Sequence, residues 1–116
     1  MTENLDLKVE RKGDVAVLYT SGYINNQGGE TIARHAYDLI DEGMKLLLLN
    51  LEGTKIVNSI GISILIEILE KMIAIDGKLA FCCLTPTIEK TLNIMGLAEY
   101  AGIYPDEATA LAALQA

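Results

Sequence analysis

Ser59 lies in Val57-Asn58-Ser59-Ile60-Gly61, a polar pair set between two apolar segments, and its neighbours decide what its hydroxyl can do. Upstream, Lys45-Leu46-Leu47-Leu48-Leu49-Asn50-Leu51 is a near-continuous apolar run, the pattern of a strand covered on both faces. Glu52-Gly53-Thr54-Lys55 then turns the chain. Downstream, Ile62 to Ile75 contains no Gly or Pro and is long enough for about four helical turns. Ser59 therefore falls at a helix N-terminus, where the first-turn amides point outward and carry partial positive charge. A phosphate attached there would enter a place suited to an anion and add roughly 1.5 to 2 negative charges. The plainer reading is capping. Ser and Asn are the best N-caps, worth roughly 1 kcal/mol over Ala, and either Asn58 or Ser59 could be present only for that.

Other chemistry finds less support. His35 is the single histidine and has charged neighbours Arg34 and Asp38 on an expected helix, so it reads as a solvated surface residue. Ser59 lacks a Gly-x-Ser-x-Gly elbow, and a phosphoreceiver would need a carboxylate where Asn50 ends the apolar strand. There is no Gly-rich phosphate loop and no metal-ligand spacing, so neither cofactor nor metal is expected and the chain does not read as an enzyme. Cys82 and Cys83 are adjacent in an expected strand, which would send their side chains to opposite faces as two buried free thiols, without a mutual disulfide or a metal pair. The formal charge of -7, with no Lys/Arg cluster, argues against nucleic acid or anionic lipid and leaves a protein as the default partner. The segment Met1-Thr2-Glu3-Asn4-Leu5-Asp6 has neither the basic flank nor the apolar core of a signal peptide, and no apolar run approaches the ~20 residues that span a bilayer. A cytoplasmic protein without membrane insertion is expected.

The elements that must position Ser59 can be read along the chain. At 116 residues, half of them apolar, it fits one domain over 1–116. Leu5, Leu7 and Val9 alternate with polar residues as a half-exposed strand, and Lys12-Gly13-Asp14 turns into a second, antiparallel strand from Val15 to Thr20. A loop Asn25-Asn26-Gln27-Gly28-Gly29 leads to a helix over Glu30 to Glu42. The Leu-rich strand and the Ser59 helix follow. Asp76-Gly77 turns into a fourth strand, Lys78 to Leu84, and Thr85-Pro86 opens a short helix that ends at Gly96, with Leu97 against Leu92. Pro105-Asp106-Glu107 starts a last, Ala-rich helix. This order predicts an α/β fold: a small mixed sheet of about four strands, parallel neighbours joined by right-handed helical crossovers, and the antiparallel first strand at one side. Asn25, Asn50 and Ser59 all fall at or after the carboxyl ends of strands, where sites in such sheets gather. On the Ser59 helix, Ile62, Ile66 and Ile73 line one flank and Ile64, Ile68 and Met72 another; one must be core, the other covered by a neighbouring helix or exposed to a partner.

Over residues 5 to 115 the sequence resembles the STAS domain of anti-sigma-factor antagonists. The family pattern is an apolar strand ending in Asp-Leu-Ser-Gly, a few residues, then Asp-Ser-Ser/Ala-Gly-Leu entering an apolar helix. Here it stands as Asn50-Leu51-Glu52-Gly53, Thr54 to Val57, then Asn58-Ser59-Ile60-Gly61-Ile62. Gly22-Tyr23-Ile24-Asn25 matches the earlier Gly-Glu-Leu-Asp, and Gly77-Lys78-Leu79 the approach to the fourth strand. Asn25, Asn50 and Asn58 stand where the family most often has Asp, and Ile60 replaces a small residue. The resemblance implies a bacterial partner-switching phosphoprotein that regulates transcription. Unphosphorylated, it binds an anti-sigma factor or serine-protein kinase; phosphorylated at Ser59, it lets go, and a phosphatase could reset it. The partner surface is then expected at Tyr23, Asn25, Asn26, Asn58, Ser59, Ile62 and Ile66. Similar STAS domains serve as subunits of lipid-transport ATP-binding-cassette complexes, or as scaffold or sensor modules without phosphorylation, and those readings stay open.

Overall fold

The structure is a computed structural model that describes residues 5–116. The reading of Met1 to Asn4 lies outside it. A tight turn at Gly13-Asp14 joins β1 (Asp6–Lys12) to β2 (Val15–Ser21), and α1 (Asn26–Asp41) leads to β3 (Leu46–Gly53). The chain continues through α2 (Ser59–Ala74), β4 (Lys78–Cys82), α3 (Pro86–Ile94), a single 3-10 turn at Leu97–Glu99, β5 (Gly102–Tyr104) and α4 (Glu107–Gln115). The five strands lie in the order β1-β2-β3-β4-β5, with β1 antiparallel to β2 and all later neighbours parallel. The mixed α/β architecture is as the sequence predicts, with one strand more than the expected four.

Alternation along the strands sorts their side chains onto two faces. Ala16, Leu18, Leu47, Leu49, Leu51, Leu79 and Phe81 point to the larger core, which α1, α2 and α3 cover. Val15, Val17, Leu48, Ala80 and Cys82 point the other way, to a smaller core closed by Ala110 and Leu114 of α4. The Leu run of β3 is thus apolar because both of its faces are covered. The polar alternates of β1, including Asp6 and Lys8, stay exposed, while Leu7 and Val9 pack on the larger core.

Three expectations need correction, and one short strand adds to the reading. α1 begins at Asn26, not Glu30, because Asn25 caps it by accepting a hydrogen bond from Gly28 N (2.9 Å). Gly28 and Gly29 therefore do not form a loop. They sit in the first turn, where a Cβ on Gly29 would lie 2.7 Å from Ile64 Cδ1 of α2, so its hydrogen is what lets the two helices approach. β4 stops at Cys82, since Cys83 adopts a left-handed backbone with φ of 63°. That rotation brings the two sulfurs to 3.6 Å, so the cysteines share a face and Cys83 is only half-buried. The strand β5 is missing from the sequence reading because three residues show no alternation; its pairing with Ala80, Phe81 and Cys82 defines it. Finally, Ile62 is not surface. At 2% exposure it belongs to the larger core with Leu65, Ile68 and Met72, with which it shares the sheet-facing side of α2, whereas Ile66 is half-buried and Ile73 exposed.

Ile62→Ala should cost about 2–5 kcal/mol by urea denaturation, the range for emptying a buried Ile site. A loss below about 0.5 kcal/mol would return Ile62 to the surface.

Candidate functional site

Beyond β2, the chain runs alongside the exit from β3 as a second, irregular parallel ladder. Gly22 N donates to Gly53 O (3.0 Å), Ile24 N to Ile56 O (3.0 Å), and Asn58 N to Ile24 O (3.1 Å), around an isolated parallel bridge between Ile24 and Val57. Asn25 and Asn58 each follow one member of that bridge, so the two amides begin two helices side by side. Asn25 Oδ1 accepts from Gly28 N, and Asn58 Oδ1 accepts from Gly61 N (2.8 Å). Asn58, not Ser59, is the cap of α2.

Gly61 closes this arrangement. A Cβ there would run into the carbonyl oxygen of Ile24, so only glycine lets the first turn of α2 rest on the 22–25 segment. Beneath it, the buried hydroxyls of Thr20 and Thr54 bond to each other at 2.6 Å and tie the end of β2 to the chain leaving β3. That pair had no signal in the sequence beyond two Thr residues near strand ends.

Of the residues expected to meet a partner, Tyr23, Asn25, Asn26, Asn58 and Ser59 come together at the two helix N-termini. Asn26 and Ser59, the first residues of α1 and α2, are exposed, and Tyr23, Asn25 and Asn58 are half-buried. Ile66 is half-buried farther along α2, and Ile62 is core. Ile56 and Ile60, which bracket Asn58-Ser59, are 59% and 51% exposed. The sequence placed neither at the site, although Ile60 was visible as a bulky departure from the pattern. Ile60 also lines a shallow cleft between α1 and α2 with Ile64, Ala33 and Tyr37. The cleft is braced by Tyr37, whose hydroxyl donates to Glu67 Oε1 (3.0 Å). Burial and that carboxylate together push the phenol up to about 12.

Neither α1 nor α2 has an acidic residue in its first turn. The partial positive charge of two adjacent helix ends is therefore met only by neutral amides. The exposed Ser59 hydroxyl stands in that field. Other hydroxyls nearby are engaged: Thr54 is buried in its pair with Thr20, and Ser63 Oγ donates to Ile60 O (2.7 Å). His35 lies on α1 with Nδ1 2.9 Å from Thr31 O, so its ring is tied to its own helix.

Asn50 lies elsewhere. It faces α4 on the opposite side of the sheet, where its Nδ2 donates to Glu107 Oε1 (3.1 Å) and its Oδ1 accepts from Glu52 N (3.0 Å). Lys12 Nζ donates to the other Glu107 oxygen (2.5 Å) and lies 5.8 Å from the centre of the Tyr19 ring. Burial pushes the Glu107 carboxyl up, but hydrogen bonding with Lys12, Tyr19 and Asn50 outweighs it and holds the group below the usual range. An aspartate at this position would face Glu107 at hydrogen-bond distance as a second carboxylate. The amide there is the group that fits this α4.

Comparison with known proteins finds a family and several structural neighbours. A family model described as the STAS domain matches residues 6–110. An anti-sigma factor antagonist from Mycobacterium paratuberculosis is 21% identical with a TM-score of 0.87, over 100% of this chain and 98% of that one. A putative anti-sigma factor antagonist from Thermotoga maritima is 18% identical with a TM-score of 0.82, over 95% of each chain. The Bacillus cell fate determinant SpoIIAA, in its phosphorylated form, is 18% identical with a TM-score of 0.72, over 90% of this chain and 96% of that one.

Two substitutions test this geometry. Gly61→Ala should destabilise the fold by about 1–3 kcal/mol despite alanine's better helix propensity, because the added methyl forces α2 off Ile24; a stabilised variant would show that the contact yields freely. Asn50→Asp should also destabilise, and its pH dependence identifies why. In the folded variant, like charge between the introduced carboxylate and Glu107 raises a carboxyl of the pair above its unfolded value, so the penalty is full at neutral pH, fades as pH falls through that raised folded value, and is gone below the ordinary Asp value of about 3.9. The native chain behaves in the opposite sense. Glu107, depressed in the fold, stabilises above the ordinary Glu value, and that contribution is lost as pH falls through its folded value. Urea denaturation of both proteins at pH 7 and pH 4 should show the gap narrowing in acid; a constant gap would remove the charge explanation.

Proposed function

Because the chain belongs to the STAS domain family, we propose that it is a partner-switching regulator of the anti-sigma-factor antagonist kind, a single domain over 1–116 that has no reaction of its own. In its unmodified form it binds an anti-sigma factor or serine-protein kinase in the bacterial cytoplasm. Transfer of phosphate to Ser59 releases that partner, and a phosphatase restores the binding form. The observation that carries this reading is an exposed serine hydroxyl at the first position of α2, beside a second helix N-terminus, with no carboxylate in either first turn.

The physics of the switch follows from that placement. A phosphate on Ser59 adds roughly 1.5 to 2 negative charges at the positive ends of two helices, so the free protein can hold it. The bound partner cannot accommodate it as readily. Ile56 and Ile60 make the surroundings apolar, and burying a dianion against such a surface costs desolvation that a neutral hydroxyl does not. Asn25 and Asn58 bring no charge to the transfer step, so the kinase's own base and metal must orient the hydroxyl. The net charge of -7 supports a protein partner over a polyanion.

The test is incubation with the cognate serine kinase and ATP, peptide mapping, and titration of the partner. Phosphate is expected on Ser59, Ser59→Asp should weaken partner binding, and Ser59→Ala should bind without being released. Ile60→Glu should weaken binding by roughly 2 kcal/mol or more while leaving the thermal midpoint unchanged, as for an interface anchor off the core. Phosphate on Ser63 or Thr54 with Ser59 untouched would reject the reading. No phosphorylation, together with capture of an ATPase and permease, would favour the lipid-transport subunit.

A further inference from the structure

We propose that Cys82 and Cys83 form a bidentate thiol site for a trivalent, singly substituted arsenical, a soft centre that bonds two protein sulfurs and carries its remaining substituent with it. Neighbouring residues of a strand point to opposite faces, so adjacent cysteines in β4 would hold their sulfurs apart. Here the strand ends at Cys82, and Cys83 takes a left-handed φ of 63°, a conformation that non-glycine residues rarely adopt. The two Sγ atoms lie 3.6 Å apart and both side chains join the small core under α4.

That separation discriminates among the chemistries open to two thiols. Two sulfur bonds of about 2.3 Å, the zinc–thiolate length, span roughly 3.5–3.8 Å when they meet at a pyramidal or tetrahedral centre, and roughly 4.6 Å at a linear one. The observed spacing fits the bent centre without movement. A disulfide fits poorly: it needs sulfurs about 2.05 Å apart and α-carbons usually 4.4–6.8 Å apart, whereas adjacent residues hold theirs at about 3.8 Å. A closed zinc site is also disfavoured, since no group of three or more His, Cys, Asp or Glu placed to hold a metal occurs among the described residues. The centre must therefore be satisfied by two sulfurs and its own substituent.

The reaction is a condensation without change of oxidation state. A hydrated arsenical, R–As(OH)2, exchanges its two hydroxides for the two sulfurs, and each hydroxide leaves as water with a thiol proton. Cys83, half-buried, is the point of first attachment, and Cys82, buried, closes the chelate. Burial above all, then the Cys83 thiol and the carboxylates of Glu107 and Asp106, pushes the Cys82 thiol well above the usual range. It is therefore the slower sulfur, and its bond forms second, once Cys83 has tethered the arsenic beside it. Closing the second bond is intramolecular and should raise affinity by roughly 10²-fold or more over a single thiol.

Phenylarsine oxide is the probe, applied to the reduced full chain. One adduct per chain should form by intact mass with loss of both thiols, should resist excess 2-mercaptoethanol, and should leave with a dithiol. Because the native backbone presets the pair, the adduct should raise Tm by at least about 3 °C at saturation. Cys83→Ala and Cys82→Ala should each bind roughly 10²-fold more weakly. Cys83→Gly, which removes the thiol and relieves the left-handed strain together, should match them with a fold at least as stable as the native chain. A lowered Tm with binding only to urea-unfolded protein, single-cysteine variants that bind as tightly as the native chain, or loss of both thiols with no arsenic in the mass would each overturn the assignment.

Discussion

The structure around Ser59 depends on a backbone contact: the first turn of α2 rests on Ile24, possible because residue 61 has no side chain. That contact, with the hydrogen bonds of the irregular ladder from Gly22 to Asn58, fixes two helix N-termini next to each other beyond the carboxyl ends of β2 and β3. The larger core holds the ladder from below through Ile24 and Ile62, both buried. Backbone hydrogen bonds and burial of this kind make a rigid platform, so the phosphate proposed for Ser59 would act at a surface that does not itself need to move.

The electrostatics of the molecule are divided between the two faces of the sheet. On the side of α1 and α2, uncharged amides cap both helices and leave the exposed serine in a positive field. On the α4 side, an amide at position 50 accepts a backbone N–H and donates to Glu107, which Lys12 also holds. The three Asn residues thus share a residue type but serve different ends. Asn25 and Asn58 begin helices, whereas Asn50 avoids a clash of like charges with a carboxylate supplied by the last helix.

Much of this was legible in the sequence, for identifiable reasons. β1 announced itself through alternation, the Gly13-Asp14 turn pointed to β2, and β3 showed as an apolar run, while Thr85-Pro86 marked the start of α3, where Thr85 Oγ1 does accept from Ile88 N. The position of Ser59 at a helix N-terminus followed from the motif itself. Less could be read on α2, because apolar residues occupy both of its flanks and no pattern says which lies on the sheet. Ile62 was misplaced for that reason, and Ile60, two residues before it in the chain, is the exposed one. Gly28-Gly29 resembled a loop because close helix packing and flexible turns select the same residue. The convergence of Cys82 and Cys83 depends on one backbone angle, which residue types do not specify.

An amide-resolved NMR map of the chain with its captured partner, before and after stoichiometric phosphorylation, addresses the central claim most directly. Perturbations should centre on residues 23–27 and 56–61, and they should disappear when Ser59 carries phosphate while the amides of β3 and α4 stay unchanged. A footprint on the α4 face around Asn50 and Glu107, or one that survives phosphorylation of Ser59, would contradict the account.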